Sequence, residues 1–310
     1  MNNTYNVDWA FIINPIAGNG FAKTLESKIK DQIDKRQLSA SIVFTKKRGD
    51  ASELARSFAD SGAKYVIAVG GDGTYNEIAG SLLNDKNVTV GIIPGGTGND
   101  FIQILGFPNR FEAEHWDLFF ETHTKAIDVG FCNGLPFMNG LGLGFDAEVA
   151  AQNYTEPGEV KMGGKNKYLF QILKTLLFYK EKRMTVLSAE GNVETDCFIN
   201  TVSIGRRFAG DFLLTPKAIA NDGLLDVCMI KNLSLLKRID ILTKVPKGTH
   251  INDKKVHYYQ SPHLEMEFEK EVPFHLDGEL HFSRYFKISL MPEAMNVIYN
   301  PTGNHFFSKD

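Results

Sequence analysis

The 310-residue sequence has little cysteine: Cys132, Cys197 and Cys228 stand far apart, odd in number and with no Cys-x-x-Cys spacing. This excludes a disulfide framework and a cysteine-built zinc site, and it points to a reducing compartment. A basic excess is also missing. Against 34 Lys and Arg stand 37 Asp and Glu, a formal charge of −3, so no nucleic-acid partner held through phosphate contacts is expected. No apolar run reaches the ~18 residues of a membrane helix. The start, Met-Asn-Asn-Thr-Tyr-Asn, lacks the basic and apolar regions of a signal peptide. Asn2 excludes N-myristoylation, and the Ser-Lys-Asp end carries no prenylation box. The expectation is a soluble, cytoplasmic protein that meets membranes only peripherally.

Two nucleotide-binding signatures are absent as well. There is no Gly-x4-Gly-Lys-Ser/Thr, which excludes a P-loop enzyme, and no Gly-x-Gly-x-x-Gly after the first apolar run. What is present is ordinary globular chemistry, 43% apolar and 23% charged, which excludes disorder or a coiled coil for the whole chain. The length suggests two domains. The 28 glycines are clustered, and the clusters follow apolar runs.

The first third alternates strand and helix. Trp9–Ile13, Ser41–Thr45, Tyr65–Val69 and Val88–Ile93 read as strands. Leu25, Ile29 and Ile33, then Ala51–Ala59, then Ile78, Leu82 and Leu83, then Ile102 and Leu105 mark the helices between and after them. Continuous apolar strands separated by helices predict a parallel sheet covered on both faces. After about Ile127 short β-like runs take over: Met184–Ala189, Cys197–Gly205, Leu225–Ile230, Leu264–Phe268, Phe286–Leu290 and Asn296–Tyr299. Turn pairs such as Gly191-Asn192 and Asp222-Gly223 separate several of them. This predicts an antiparallel sandwich or barrel, interrupted by helices at Lys167–Tyr179 and from Ser234 to Val245. The fold class expected is therefore α/β plus all-β, with domains at 1–127 and 128–299.

Gly70-Gly71-Asp72-Gly73-Thr74 directly follows a strand and opens a helix. Glycines let a backbone approach a ligand closely, and a helix N-terminus offers N–H groups to phosphate oxygens. A carboxylate among such groups calls for a metal or a proton to handle; otherwise Asp72 is an ordinary turn former. Pro94-Gly95-Gly96-Thr97-Gly98-Asn99-Asp100 repeats the logic after the next strand. Asn14-Pro15-Ile16-Ala17-Gly18-Asn19-Gly20, and Thr45 followed by Lys46, Lys47 and Arg48, would join them at the same sheet edge. Four such loops suggest a nucleotide polyphosphate site.

Gly70-Gly-Asp-Gly-Thr-Tyr-Asn-Glu77 and Pro94-Gly-Gly-Thr-Gly-Asn-Asp-Phe101 resemble the diacylglycerol kinase catalytic-domain family, which includes bacterial soluble lipid kinases and the sphingoid-base and ceramide kinases. The resemblance runs on through Gly142-x-Gly-Phe-Asp-Ala147, Asp222-Gly-Leu-Leu-Asp226 and Leu276-Asp-Gly-Glu279, over nearly the whole chain. It implies a nucleotide-binding α/β domain like that of NAD kinases and phosphofructokinases, then a β-sandwich domain, with the active site between them and a C-terminal segment, 300–310, that can return to the first domain.

By the same resemblance, ATP would meet Asn14, Pro15, Ile16, Ala17, Gly18, Thr45, Gly70, Gly71, Asp72, Gly73, Thr74, Tyr75, Asn76, Glu77, Gly96, Thr97, Asn99 and Asp100. Mg²⁺ would sit at the Asp222 carboxylate and the carbonyls of Ile219 and Leu224, oxygen ligands of the kind that ion takes. Asp277 and Glu279 would form the acidic pair at the acceptor hydroxyl, with Asp72 holding a catalytic Mg²⁺ or acting as base. The expected activity is ATP- and Mg²⁺-dependent phosphorylation of a membrane lipid, diacylglycerol first. Phosphatidylglycerol, a sphingoid base, or NAD in an NAD kinase are the alternatives. A homodimer is a family-level expectation.

This sequence departs from the family pattern at Asn19 and Gly20, where relatives carry a cation, so Lys46 to Arg48 are expected to compensate. Phe208-Ala-Gly-Asp211 replaces a more glycine-rich stretch. Other features have plainer readings. Asp277-Gly278 also suits a simple hairpin turn. Asp226 reads as a strand-end surface residue, and the eight histidines as surface or packing residues. The Lys167–Tyr179 helix, aromatic at its ends and flanked by lysines, reads as packed on the sandwich or in a dimer contact rather than as interfacial.

Overall fold

In a computed structural model the chain divides into two compact units. One comprises Met1–Val129, Ala220–Asp222 and Pro292–Asp310; the other comprises Gly130–Ile219 and Gly223–Met291. The structure describes residues 6–156, 159–160, 174–187, 192–209 and 212–308. The first seven residues of the expected Lys167–Tyr179 helix, with Gly191 and Asp211, lie outside the described residues.

The first unit alternates β1 (Trp9–Ile13), α1 (Phe21–Arg36), β2 (Ala40–Phe44), α2 (Asp50–Asp60), β3 (Tyr65–Gly70), α3 (Asp72–Ser81) and β4 (Thr89–Pro94). Two short helices, α4 (Asp100–Ile104) and α5 (Ala113–Phe120), and the start of β5 (Thr124–Cys132) follow. β1 pairs in parallel with β2 and β3, and β3 with β4. Asn296 and Val297 add a further parallel partner to β4. Ala10 to Ile13 and Val66 to Val69 are wholly buried, which is why these strands carry unbroken apolar runs. The glycine-rich segments lie at the C-terminal ends of β1, β3 and β4, and Thr45 at the end of β2.

The expected domain limits need correction. Residues 292–299 and 220–222 belong to the first unit. Main-chain bonds explain this. Asp128 N donates to Ala220 O at 2.9 Å, and Ala220 N to Phe306 O at 2.8 Å. Asn300 N donates to Leu105 O at 2.8 Å and Phe306 N to Ile104 O at 3.0 Å, so the C-terminal segment packs on the end of α4.

The second unit holds β6 (Leu135–Phe137), β7 (Gly140–Gly144), α6 (Phe145–Asn153), the short pair β8 (Tyr154–Glu156) and β9 (Glu159–Val160), β10 (Lys182–Leu187), β11 (Val193–Ser203) and β12 (Leu225–Lys231). Then come α7 (Leu235–Lys244), β13 (Val256–Ser261), β14 (His263–Leu276) and β15 (Glu279–Ile298), whose last residues enter the first unit. Residues 174–178 are also helical. The sheet is antiparallel. β13, β12 and β11 lie side by side, and β14 pairs with β15. Between β11 and β14, β10 fills one half of the slot and β7 the other. Both long strands shift register where one partner gives way to the other, between Cys197 and Ile199 and between Glu267 and Val272, the usual use of a bulge. The two runs read separately at Phe286–Leu290 and Asn296–Tyr299 are stretches of one strand.

Candidate active site

In the first unit the glycine loops are locked to one another through backbone. Gly95 N and Gly96 N both donate to Gly70 O, at 2.7 and 3.0 Å. A Cβ on Gly96 would fall 2.4 Å from Gly71 Cα, and one on Gly18 would fall 2.2 Å from Gly95 O. Glycine is required because the three loops touch main chain to main chain. Asn14 Nδ2 donates to Thr74 Oγ1 at 3.1 Å, tying the first loop to α3. Asn99, buried and at φ +57°, closes its own loop: its Oδ1 accepts from Gly96 N and its Nδ2 donates to Gly96 O, each at 3.1 Å.

Asp72 is placed to hold protein. Its two oxygens accept the N–H groups of Asp100 and Phe101 at 2.9 and 3.0 Å, capping α4 from the first turn of α3. Glu77 acts similarly, accepting Gly49 N at 3.1 Å and so fixing the turn after β2, where Lys46 N and Lys47 N donate to Asp50 Oδ2. Thr45 N donates to Ile13 O at 2.9 Å. Tyr75 is a correction. Its side chain is fully buried and stacks on Phe101 with ring centroids 4.0 Å apart, so it serves the core and not a ligand surface. Outward remain Ile16, 79% exposed, with Gly73, Thr97 and Gly98; Pro15, Ala17, Gly71 and Asn76 are half-buried.

One cation of the site carries no motif. Arg110 Nη2 donates to Gly96 O at 3.1 Å and Nη1 to Pro94 O at 3.4 Å, while its guanidinium lies 4.2 Å over the Phe21 ring. It thus supports the second glycine loop and adds positive charge there.

In the second unit, β14 and β15 meet in a two-residue turn with Asp277 at φ +48° and Gly278 at φ +87°. Positive φ at both positions marks the tight primed hairpin. The Asp277 carboxylate does more than turn the chain. It accepts Met138 N at 2.6 Å, Asn139 N at 2.9 Å and Gly140 N at 2.8 Å, while Asp277 N donates to Gly140 O. Three N–H donors fix it as an oriented anion. Glu279 opens β15 and is exposed.

Beside this hairpin, His275 Nε2 lies 3.2 Å from Asp146 Oδ2. A Cβ on Gly142 would fall 2.2 Å from that nitrogen, which explains the small residue in Gly142-x-Gly-Phe-Asp-Ala147. Asp226 is a second correction. It is wholly buried, accepting from Tyr258 Oη at 2.5 Å and Gln260 Nε2 at 3.2 Å. Asp222 is half-buried and precedes Gly223 at φ +75°. Among the described residues, the one cluster of imidazole and carboxylate groups close enough to share an ion is Glu112, Glu114 and His115, which is the exposed cap of α5.

Comparison with known proteins accounts for both units. Residues 8–132 match the diacylglycerol kinase catalytic domain, and residues 140–299 match the YegS C-terminal NAD kinase beta sandwich-like domain. The "Diacylglycerol kinase" of Bacillus subtilis (strain 168) is 28% identical over 270 residues, 86% of this chain and 88% of that one. A Chromohalobacter salexigens protein named "Probable lipid kinase YegS-like" is 33% identical over 84% of this chain and 83% of its own. A solved structure from Bacillus anthracis str. Sterne superposes with TM-score 0.79 at 28% identity, covering 96% of this chain and 97% of that chain. The chain belongs to the diacylglycerol kinase and YegS-like lipid kinase family, and it is a lipid kinase. No helix among its described residues is long and apolar enough to cross a membrane.

Proposed function

We propose that this enzyme transfers the γ-phosphate of ATP to the hydroxyl of diacylglycerol, giving phosphatidic acid. The observation that carries the nucleotide half is the interlocked set of loops at Gly18, Gly71 and Gly96, whose close backbone approach leaves no room for side chains. Phosphoryl transfer asks chiefly for charge neutralisation and positioning. Main-chain N–H groups at the start of α3, with the cations of Lys46 to Arg48, supply the first; Asn14, Thr74 and Thr97 supply hydroxyl and amide contacts.

The donor set assigned to a divalent cation fits one. Ile219 and Leu224 offer main-chain carbonyls and Asp222 a carboxylate, hard oxygens of the kind that Mg²⁺ accepts alongside water. When bound, Mg²⁺ adds positive charge that stabilises the site. Asp72 acts by holding the second glycine loop in register.

At the acceptor side, Asp277 takes the proton of the lipid hydroxyl and Glu279 orients that hydroxyl. Three main-chain N–H groups hold that carboxylate in place. In a loose transition state the attacking oxygen keeps its proton until late. A panel of lipid alcohols given γ-labelled ATP tests the substrate. Diacylglycerol should be labelled fastest; faster labelling of phosphatidylglycerol or a sphingoid base would reassign it.

A further inference from the structure

A helix packed on a core buries one stripe and turns polar residues outward. α7 departs from this rule. It buries Ile241 and Arg238 and exposes Leu235 at 39%, Leu236 at 81% and Ile239 at 47%. Residues three and four apart share a helix face, so these three form one apolar surface. The buried Arg238 spends its charge inside the unit. It donates to Leu176 O at 2.8 Å, Tyr179 O at 3.0 Å and Glu181 Oε1 at 2.7 Å. It thereby joins α7 to the helical segment 174–178, which exposes Leu177 at 55% and Phe178 at 74%. Single exposed apolar residues are ordinary; five on two segments tied together by one buried guanidinium are not.

Among the described residues of these two segments and those paired with them, each carboxylate has a cation partner. Asp240 is paired with Lys237 and Lys244, Asp253 with Lys237, and Glu181 with Arg238. Lys174, Lys180 and Lys231 are exposed. Apolar side chains bordered by lysines suit a surface of anionic headgroups over hydrocarbon. A second copy of this chain brings the same lysines and no surplus of carboxylates to pair with them, so the charge favours an anionic surface.

We propose that α7 and the 174–178 segment form the surface by which this kinase docks on an anionic bilayer, Leu236, Ile239 and Phe178 entering the acyl boundary. This rests on the reading that the substrate is a membrane lipid: its acyl chains stay in the bilayer, so the enzyme must come to them.

The test is cosedimentation of the full chain with phosphatidylcholine vesicles, with and without added phosphatidylglycerol. The wild-type protein should partition to the anionic vesicles, less so in high salt. A Leu236→Glu/Ile239→Glu variant should lose about tenfold or more in partitioning, and Lys174→Glu/Lys180→Glu should lose the preference for anionic lipid. Melting temperature should hold in both, because the side chains are exposed. Activity toward a short-chain lipid in detergent micelles should also hold, while activity on vesicles falls. Unchanged partitioning of the Leu236/Ile239 variant would overturn the docking surface. So would a wild-type dimer that this variant dissociates without effect on vesicles, which would make the occupant a second copy. If the wild-type protein phosphorylates no micellar lipid, the lipid reading fails instead, whatever the vesicles show.

Discussion

Gly71 and Gly96 meet backbone to backbone, with a Cβ on Gly96 destined to fall 2.4 Å from the Cα of Gly71. Gly96→Ala should therefore push the two glycine loops apart. Overpacking of this kind costs about 1–3 kcal/mol, and because the strain falls on the loops, ATP affinity measured by calorimetry should drop up to about 100-fold. Gly73 lies inside α3, where an added Cβ meets nothing within 4 Å. Gly73→Ala should keep or raise the melting temperature, while Gly96→Ala lowers it.

Asp72 and the start of α4 give a second test. Asp72→Asn would turn an amide N–H₂ toward the N–H of Asp100 or Phe101. Leaving such a donor unmatched costs about 1–3 kcal/mol. Stability in urea and turnover should fall together. Lost turnover with unchanged stability would point to a purely chemical role for this carboxylate.

Asp277→Asn separates binding from chemistry. The amide cannot accept the N–H groups of Met138, Asn139 and Gly140 as the carboxylate does, so the hairpin loses its anchor together with the proposed proton acceptor. Lipid phosphorylation should stop, while ATP affinity stays near the wild-type value. Full activity would remove Asp277 from the reaction.

Arg110→Ala removes the stack on Phe21 and the bonds to Pro94 O and Gly96 O. A rise in KM for ATP of several-fold, recovered in part by Arg110→Lys, is the expected outcome. Steady-state kinetics at saturating lipid would read it.

Stability should have two pH limits. His250 is buried beside Leu214 O and Cys228 Sγ, and burial holds its imidazole below the usual 6.5. The stability this reflects is present above pH 6.5 and is lost as the pH falls through the depressed value. Burial pushes the Cys132 and Cys228 thiols up from 9.0 to about 12. Their contribution is whole below pH 9.0 and is lost as the pH rises toward 12. A thermal melt series should show a plateau between these limits, and His250→Asn should flatten its acid limb. Both thiols should resist alkylation in the native protein at mildly alkaline pH.

The α/β half was readable because its strands are apolar throughout and its loops announce themselves with glycine. The second half was harder. β7 is Gly140-Leu-Gly-Leu-Gly144, and its glycines hide a strand that must pass beneath Phe208 and His275. Asp226 looked like a surface residue because its partners, Tyr258 and Gln260, come from β13, more than 30 positions on. Arg110 stands 14 residues beyond Gly96, whose loop it supports, with no spacing rule to link them. Tyr75 sits within a glycine motif yet faces the core, since a helix turns successive side chains to different faces. Motifs mark where backbone is special; they do not say which side chains the core has claimed.

In the proposed reaction the glycine loops bind ATP and Asp277 takes the proton of a lipid alcohol. Its most direct measurement is transfer of label from γ-labelled ATP in a mixture of diacylglycerol and NAD, followed by solvent extraction, for the wild-type and Asp277→Asn proteins. Label should appear in the organic phase for the wild-type enzyme and not for the variant. Label in the aqueous NADP fraction, or equal organic label in both proteins, would contradict the proposed reaction.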